Sequence, residues 1–384
     1  MLKKFTVRNY KNFEKKITID FSNTAAYQFS TDCIYGGLIS KMLIYGRNAT
    51  GKTNLGRALT DICSTMFKGP RFMNDGVFLN ADSDEKSAVF SYEFDFDGKK
   101  VFYEYARISD LELQWEKLFI DDKKIFECDF EFKKFDFTNL KYIDAETANI
   151  DRYTQSLEEG EETEDIIEPK LPFLRWLVSN VALKNESILI KLSNYVRRMV
   201  VISAGNVMKF RPRRMYDGFF ETLENDDRLK DLEDFFNSMG IECRLTLKKL
   251  PDGQRELYFS HEKLVPFNET ASSGTLALFD LYRRLIPSAW DPSFIYLDEF
   301  DAFYHYEMAE NVIRFFKKKY PKCQIIMTSH NTNLMTNRLM RPDCLFILSR
   351  SGTLTALCNA TERELREGHN LEKMYISGEF EQYE

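Results

Sequence analysis

Residues 41–53 read KMLIYGRNATGKT, and this stretch decides the fold. The first five residues form an apolar run typical of a buried strand, and GRNATGKT (46–53) fits the pattern GxxxxGK[ST] in full. After it, apolar residues recur at helical spacing: Leu55, Ala58, Leu59 and Ile62. The glycine segment therefore joins a strand to a helix, where backbone N–H groups can wrap around phosphates. A chance glycine turn is the alternative, and the flanking strand and helix argue against it.

Two further residues of this loop are predicted to contact the phosphates and their metal ion. Lys52 neutralises the β- and γ-phosphates of a nucleotide in such loops, and the Thr53 hydroxyl binds Mg²⁺. FIYLDE (294–299) is a second buried-strand pattern, and it ends in two carboxylates. A parallel strand beside the phosphate loop delivers Asp298 to the Mg²⁺, and Glu299 then acts as general base on the attacking water. The alternative is a strand that simply ends in surface acids.

Two weaker motifs flank this acidic strand. ASSGT (271–275) precedes an apolar-periodic helix, and its small hydroxyl residues suit either phosphate binding or an ordinary helix N-cap. IIMTSH (325–330) is another apolar strand, and it ends in a histidine. His330 could hydrogen-bond the γ-phosphate, although a lone histidine is more often structural.

Composition excludes several classes of protein. The 384 residues carry 53 Lys plus Arg and 60 Asp plus Glu, so the net charge of −7 excludes a highly basic coat protein. Hydrophobic residues make up 43% and aromatic residues 14%, which excludes a disordered chain. No apolar run approaches the roughly 18 residues of a membrane span, and the opening MLKKFTVRNY lacks the apolar stretch of a signal peptide. We expect a cytoplasmic protein without a membrane segment.

The chain divides into three predicted parts. Residues 1–140 form the first lobe with the phosphate loop and, over 88–137, an antiparallel β subdomain indicated by alternating apolar residues. Residues 141–244 are predicted to be a mostly helical insertion. Residues 245–384 return to strand–helix alternation and carry the remaining motifs.

The order of these motifs resembles that of ABC-type ATPase heads. Within them the chain resembles the RecF/SMC/Rad50-like branch, and in that branch the stand-alone bacterial AAA-type ATPases related to OLD-family proteins. The resemblance is carried by FTVRNYKNF (5–13), Asn48, DEFDAFYH (298–305) and NLEKMYISGEF (370–380). It implies an α/β fold: a P-loop NTPase head of ABC-ATPase type with an antiparallel β subdomain and a helical insertion.

The resemblance also implies a set of functional residues, with ATP and Mg²⁺ as ligands. Nucleotide contacts are expected from Gly46, Arg47, Asn48, Ala49, Thr50, Gly51, Lys52, Thr53 and Asn54. The catalytic residues implied are Lys52, Glu299 and His330, and the metal ligands are Thr53 and Asp298. Ser272, Ser273 and Gly274 correspond to the signature turn, which in such proteins contacts the γ-phosphate held by the other subunit. A head-to-head homodimer, or a higher even-numbered oligomer, follows from this arrangement.

Three functional hypotheses remain open at this point. The first is an ATP-dependent switch that dimerises and controls a separate effector, a nuclease, in bacterial antiphage or abortive-infection defence. The second is a RecF-like clamp on DNA. Its phosphate contacts would come from Arg197, Arg198, Arg211, Arg213 and Arg214, and a solvated charged face is the alternative for that cluster. The third is a degenerate head that binds ATP without turnover and serves as a scaffold.

Overall fold

The strand that precedes the phosphate loop, β5 (Lys41–Tyr45), is buried at all five positions and pairs in parallel with a neighbour on each side. Continuous apolar burial is typical of a central parallel strand, which is covered on both faces. The computed structural model describes residues 1–67, 77–159, 170–203, 217–285 and 291–384, and β5 lies in the interior of its mostly parallel sheet.

In the described residues this sheet has six strands. In spatial order they are β11 (Met199–Ser203), β15 (Phe294–Asp298), β16 (Gln324–Ser329), β5, β17 (Leu345–Leu348) and β18 (Leu354–Ala356). All neighbouring pairs are parallel except β17 and β18, which form a hairpin. Ser203 is in register with Asp298, and Ser329 with Tyr45. The carboxyl ends of these strands therefore meet at one edge, where the phosphate loop also begins.

An antiparallel sheet, with seven strands among the residues that the structure describes, packs beside this one. In spatial order its strands are β10 (Lys134–Asp136), β9 (Lys123–Asp129), β8 (Leu113–Ile120), β7 (Lys99–Arg107), β6 (Ala88–Phe96), β1 (Leu2–Arg8) and β2 (Ile17–Asp20). The β subdomain predicted over 88–137 is therefore continuous with the opening hairpin of the chain. Smaller sheets are formed by β3 (Ile34–Tyr35) with β4 (Leu38–Ile39), and by β12 (Leu245–Lys249), β13 (Arg255–Ser260) and β14 (Leu264–Pro266).

The helices cover both sheets. They are α1 (Lys52–Met66), α2 (Ile150–Glu159), α3 (Phe173–Asn180), α4 (Ile188–Arg197), α5 (Asp217–Thr222), α6 (Asp226–Ser238), α7 (Phe267–Thr270), α8 (Ser273–Leu285), α9 (Tyr306–Lys319) and α10 (Leu371–Ile376). None of the helices in the described ranges is both long and apolar enough to cross a membrane.

The segment 141–244, predicted as a mostly helical insertion, supplies a strand as well as helices. It contains helices α2 to α6, and it also supplies β11, which pairs along its whole length with β15. The segment therefore contributes an edge strand of the parallel sheet itself. The sequence MVVIS is too short for periodicity to identify, and its partner strand lies almost 100 residues further along the chain.

The antiparallel sheet is joined to α1 by polar contacts as well as by packing. The Tyr105 hydroxyl donates to Asp61 Oδ2 (2.7 Å), and Arg107 Nε lies 3.0 Å from the same oxygen. The Tyr92 hydroxyl donates to the carbonyl of Ala58 (2.8 Å). Arg107 is only 2% exposed, and a charge so deeply buried is tolerated because it is paired. The helix that follows the phosphate loop is thus fixed to the β subdomain.

Glu116 on β8 is fully buried and holds α3 against the antiparallel sheet. Its carboxylate accepts hydrogen bonds from the Tyr103 hydroxyl (2.8 Å) and from the N–H of Phe173, the first residue of α3. Burial raises the pKa of Glu116 from its ordinary 4.5 to about 7, against the opposing effect of these hydrogen bonds. A raised carboxyl pKa means that ionisation costs stability in the folded protein.

Replacement of this carboxyl should therefore change the pH dependence of folding. The stability that Glu116 contributes is fully present below pH 4.5 and is lost as pH rises through about 7. We expect the free energy of unfolding of Glu116→Gln, measured by urea titration, to rise relative to wild type by about 2–3 kcal/mol between pH 5 and pH 8. The exposed Glu127→Gln is the control and should show no such trend. A constant difference between Glu116→Gln and wild type across this range would contradict the account.

Candidate functional site

The phosphate loop is shaped by glycines at two positions where a side chain does not fit. A Cβ on Gly46 would lie 2.7 Å from Thr50 Oγ1 and 2.9 Å from the carbonyl oxygen of Leu348. Gly51 has a φ of +99°, which L-residues rarely adopt, and a Cβ there would lie 2.1 Å from Asn12 Nδ2. The loop passes from β5 directly into α1, so its N–H groups lie at a helix N-terminus suited to anions.

Lys52 folds back into this loop. Its Nζ donates to the carbonyl oxygens of Gly46 (2.7 Å) and Arg47 (3.0 Å). Burial lowers the pKa of Lys52, while the nearby carboxylates of Glu299 and Asp298 act to raise it. A cation held inside a ring of backbone groups can exchange its carbonyl partners for the oxygens of an incoming phosphate.

Asp298, at the end of β15, is the junction of the site. Its two carboxylate oxygens accept hydrogen bonds from Thr53 Oγ1 on α1 (2.7 Å) and from Thr328 Oγ1 on β16 (2.9 Å). Asp298 is 3% exposed, so these bonds form away from competing water. One buried carboxylate thus connects the phosphate-loop helix with two neighbouring strands.

Thr53 and Asp298 form a pair of oxygens that suits Mg²⁺. Adjacent ligands of an octahedral Mg²⁺ lie about 2.9 Å apart, close to the separation that this hydrogen bond already imposes. Both are hard oxygen donors, and Thr53 is exposed while Asp298 is buried behind it. The residues therefore fit the metal, which when bound would neutralise charge on the phosphates.

Glu299 and His330 lie next to this junction. His330 Nε2 is 3.3 Å from Glu299 Oε1, and both side chains are more than one-third exposed. The Glu299 N–H donates to Thr328 Oγ1 (2.8 Å), and Glu299 has a left-handed φ of 48°. This uncommon backbone turns the carboxylate at the strand end towards the histidine. The geometry brings a carboxylate and an imidazole together at the carboxyl ends of β15 and β16.

The predicted signature turn stands apart from this cluster. Ser272 caps α8, its Oγ accepting the N–H of Thr275 (3.1 Å), and Ser273 is exposed at the start of that helix. Gly274 packs against the segment after the acidic strand, because a Cβ there would lie 2.9 Å from the carbonyl oxygen of Phe303. The Ser272 hydroxyl is engaged within its own turn, since it also lies 2.8 Å from Thr275 Oγ1.

The remaining loop residues have varied surroundings. Thr50 is buried, and its Oγ1 donates to the carbonyl of Arg47 (3.0 Å). Asn48 and Ala49 are exposed, with Ala49 at a left-handed φ of 65°. The exposed Arg47 side chain pairs with Glu384.

A family model described as "AAA domain, putative AbiEii toxin, Type IV TA system" matches residues 41–336, from β5 to beyond His330. The chain belongs to this family. Its phosphate loop, acidic strand and histidine all fall inside the match, so it is an ATPase-type P-loop domain. The predicted relationship to ABC/AAA-type ATPases and the α/β P-loop fold are both confirmed.

Solved structures show a distant likeness to this AAA domain. An SMC head bound to the C-winged helix domain of ScpA is 14% identical in sequence and has a TM-score of 0.48. The match covers 92% of this chain and 96% of the SMC head chain. The SMC head domain from Thermotoga maritima is also 14% identical, covers 92% and 98%, and has a TM-score of 0.45. No curated protein matches the chain.

Sequence reasoning missed two residues that shape the AAA domain's site. Asn12 Nδ2 donates to the carbonyl of Thr50 (2.9 Å), and its Oδ1 accepts from Asn54 Nδ2 (2.8 Å). The Tyr296 hydroxyl donates to the carbonyl of Lys52. A Cβ on Gly56 would lie only 2.4 Å from the Tyr296 ring, so only glycine fits there. Asn12 lies within the FTVRNYKNF motif, which was the available signal.

The arginines considered for nucleic-acid binding have structural partners where they are described. Arg197 lies over the ring of Phe67, 4.9 Å from its centroid, and Arg198 Nε donates to the carbonyl of Asn194 (3.0 Å). The other three lie outside the described residues: Arg211, Arg213 and Arg214.

Removal of the Asn12 side-chain amide, whose two hydrogen bonds we call the Asn12 clamp, should weaken nucleotide binding without unfolding the chain. Asn12→Ala removes two hydrogen bonds that hold the loop, and we expect an affinity for ATP about tenfold lower in calorimetric titration. Asn139→Ala is the matched control, since Asn139 also holds a backbone carbonyl, that of Lys124 (2.9 Å), far from the loop in sequence. An Asn12→Ala protein that binds ATP as tightly as the control would show that the clamp is not needed.

Proposed function

We propose that the protein is a cytoplasmic switch that binds and hydrolyses Mg-ATP, dimerises head-to-head through the nucleotide and controls a separate effector. The observation that carries the ATPase assignment is the convergence of four groups at one sheet edge: Lys52, Asp298, Glu299 and His330. Membership of an AAA-domain family supports the same assignment. These intact groups argue against a degenerate scaffold.

Each residue has a chemical role in the proposed hydrolysis. Lys52 binds the β- and γ-phosphates, and Thr53 with Asp298 holds the Mg²⁺. Glu299 accepts a proton from water as the water oxygen bonds to the γ-phosphorus and the bond to the β-phosphate oxygen breaks, releasing ADP. His330 hydrogen-bonds the γ-phosphate and thereby distinguishes ATP from ADP.

The exposed signature turn supports a composite site. Ser272 and Ser273 begin a helix of 13 residues, and helix N-termini favour phosphate oxygens. Because both residues are exposed at the start of this helix, we assign them to the γ-phosphate bound by a second copy. ATP then joins two heads at two equivalent sites, and hydrolysis separates them, which is a population shift driven by one phosphate.

The effector is assigned on associational grounds. The family description names a toxin and a type IV toxin–antitoxin system, which supports a role within a multi-component bacterial defence system. We propose that the effector is a separate nuclease and that the ATP-bound dimer sets its activity during infection by phage.

A mixing experiment tests whether the site is shared between two copies. Lys52→Ala removes the phosphate-binding cation, and Ser273→Arg blocks the signature turn at an exposed position. Each variant alone should hydrolyse ATP at least about 100-fold more slowly than wild type. Mixed in equal amounts they form heterodimers with one intact site, and we expect about a quarter of the wild-type rate.

The outcomes separate the two parts of this proposal. If mixed dimers form and the mixture stays as slow as the separate variants, each site is completed within one chain. If Lys52→Ala alone retains the wild-type rate, the assignment of the ATPase site is wrong.

A further inference from the structure

Three segments line an open cleft of about 470 Å³. The first is the phosphate loop, through Arg47. The second is the 3₁₀ turn Thr332–Leu334, directly after His330, and the third is the C-terminal segment 371–384, which begins with α10. The C-terminal segment thus contacts both the element that binds phosphate and the element that follows its histidine.

The closest link across the cleft is an ion pair. Arg47 Nε donates to Glu384 Oε2 (2.8 Å), and Arg47 Nη2 donates to the same oxygen. The Glu384 side chain is only 13% exposed, whereas that of Arg47 is 57% exposed. The carboxylate is therefore held in place beneath the guanidinium rather than sampling solvent freely.

A tyrosine and two buried anchors fix this carboxylate. Tyr375 lines the same cleft as Glu384, and burial together with that carboxylate raises the pKa of Tyr375, so the hydroxyl keeps its proton. Leu371 and Phe380 are fully buried, so the segment is docked at two points. These contacts position Glu384 against the phosphate loop.

Both cationic side chains of the phosphate loop thus have partners within the chain. Lys52 is bonded to loop carbonyls, and Arg47, the other cation of the loop, is bonded to a carboxylate of the same molecule. A bound triphosphate places several negative charges beside Arg47, and these repel Glu384 while they compete for its guanidinium. Glu384 and a nucleotide therefore oppose each other at this residue.

We propose that Glu384 is an internal competitor of the nucleotide, and that ATP releases the segment 371–384 from the phosphate loop by taking Arg47 from it. The inference rests on the proposed nucleotide binding and adds a regulatory element to it. Because α10 also packs against the turn after His330, its release changes the surface next to the γ-phosphate sensor. Ile376, which is 70% exposed on α10, lies on the surface that changes.

Charge removal at Glu384 tests the proposal. In a Glu299→Gln background that prevents hydrolysis, Glu384→Gln should lower the dissociation constant for Mg-ATP about 3- to 10-fold in calorimetric titration. The gain should shrink in 0.5 M NaCl, about three times physiological ionic strength, because the competing interaction is partly exposed and is screened by salt. Glu379→Gln is the matched control: Glu379 lies in the same segment but pairs with Thr361 (2.8 Å) and Arg363 (3.5 Å). It should leave the affinity unchanged.

Hydrogen exchange gives an independent result. ATP should speed exchange of the amides in 371–384 in the Glu299→Gln protein, and Glu384→Gln should do so without nucleotide. Equal affinities for Glu384→Gln and Glu379→Gln, or weaker binding by Glu384→Gln, would overturn the proposal.

A Lys52→Ala control distinguishes refutation of the competition between Glu384 and ATP from refutation of the proposed nucleotide site. If Lys52→Ala abolishes binding and the Glu384 substitution has no effect, the nucleotide site stands and only the competition is refuted. If neither Lys52→Ala nor the parent protein binds ATP, and Glu384→Gln binds none either, both assignments fall.

Discussion

One buried carboxylate ties the functional parts of this molecule together. Asp298 accepts hydrogen bonds from Thr53 and Thr328, so the phosphate-loop helix and two parallel strands share one fixed point. The bond can form only because β15, β16 and β5 run parallel and end at the same edge. Glu299 and His330 directly follow the last residues of β15 and β16. The 3.3 Å distance between Glu299 Oε1 and His330 Nε2 is a consequence of the same strand register.

The rest of the fold keeps that fixed point rigid. Tyr296 on the acidic strand packs closely over Gly56 and bonds the Lys52 carbonyl, so α1 cannot move away from β15 without breaking both contacts. On its other side, α1 is held by Asp61, which accepts from Tyr105 and pairs with Arg107. The antiparallel sheet therefore supports the nucleotide site through the helix, and hydrogen bonds sheltered from water make the support directional.

The local features of the site were predictable from sequence, and the long-range ones were not. The phosphate loop, the acidic strand and the strand ending at His330 each combine an apolar run with a distinctive polar end, so short patterns suffice. Asn12 contacts a loop residue 38 positions away, so the FTVRNYKNF motif marks the residue without showing what it contacts. The strand β11 pairs with a strand almost 100 residues later and has no local signal. The Arg47–Glu384 pair joins two surface residues of opposite charge, of which the chain has many, and only the fold selects this one.

In the proposed function, ATP completes its binding site between two copies of this chain. The most direct test is the native mass of the Glu299→Gln protein with and without Mg-ATP, with nucleotide occupancy measured in the same sample. We expect ATP to double the mass, or to raise it to an even multiple, and we expect the addition of Ser273→Arg to abolish the increase while ATP stays bound to Lys52. A mass that remains that of one chain with ATP fully bound would contradict it.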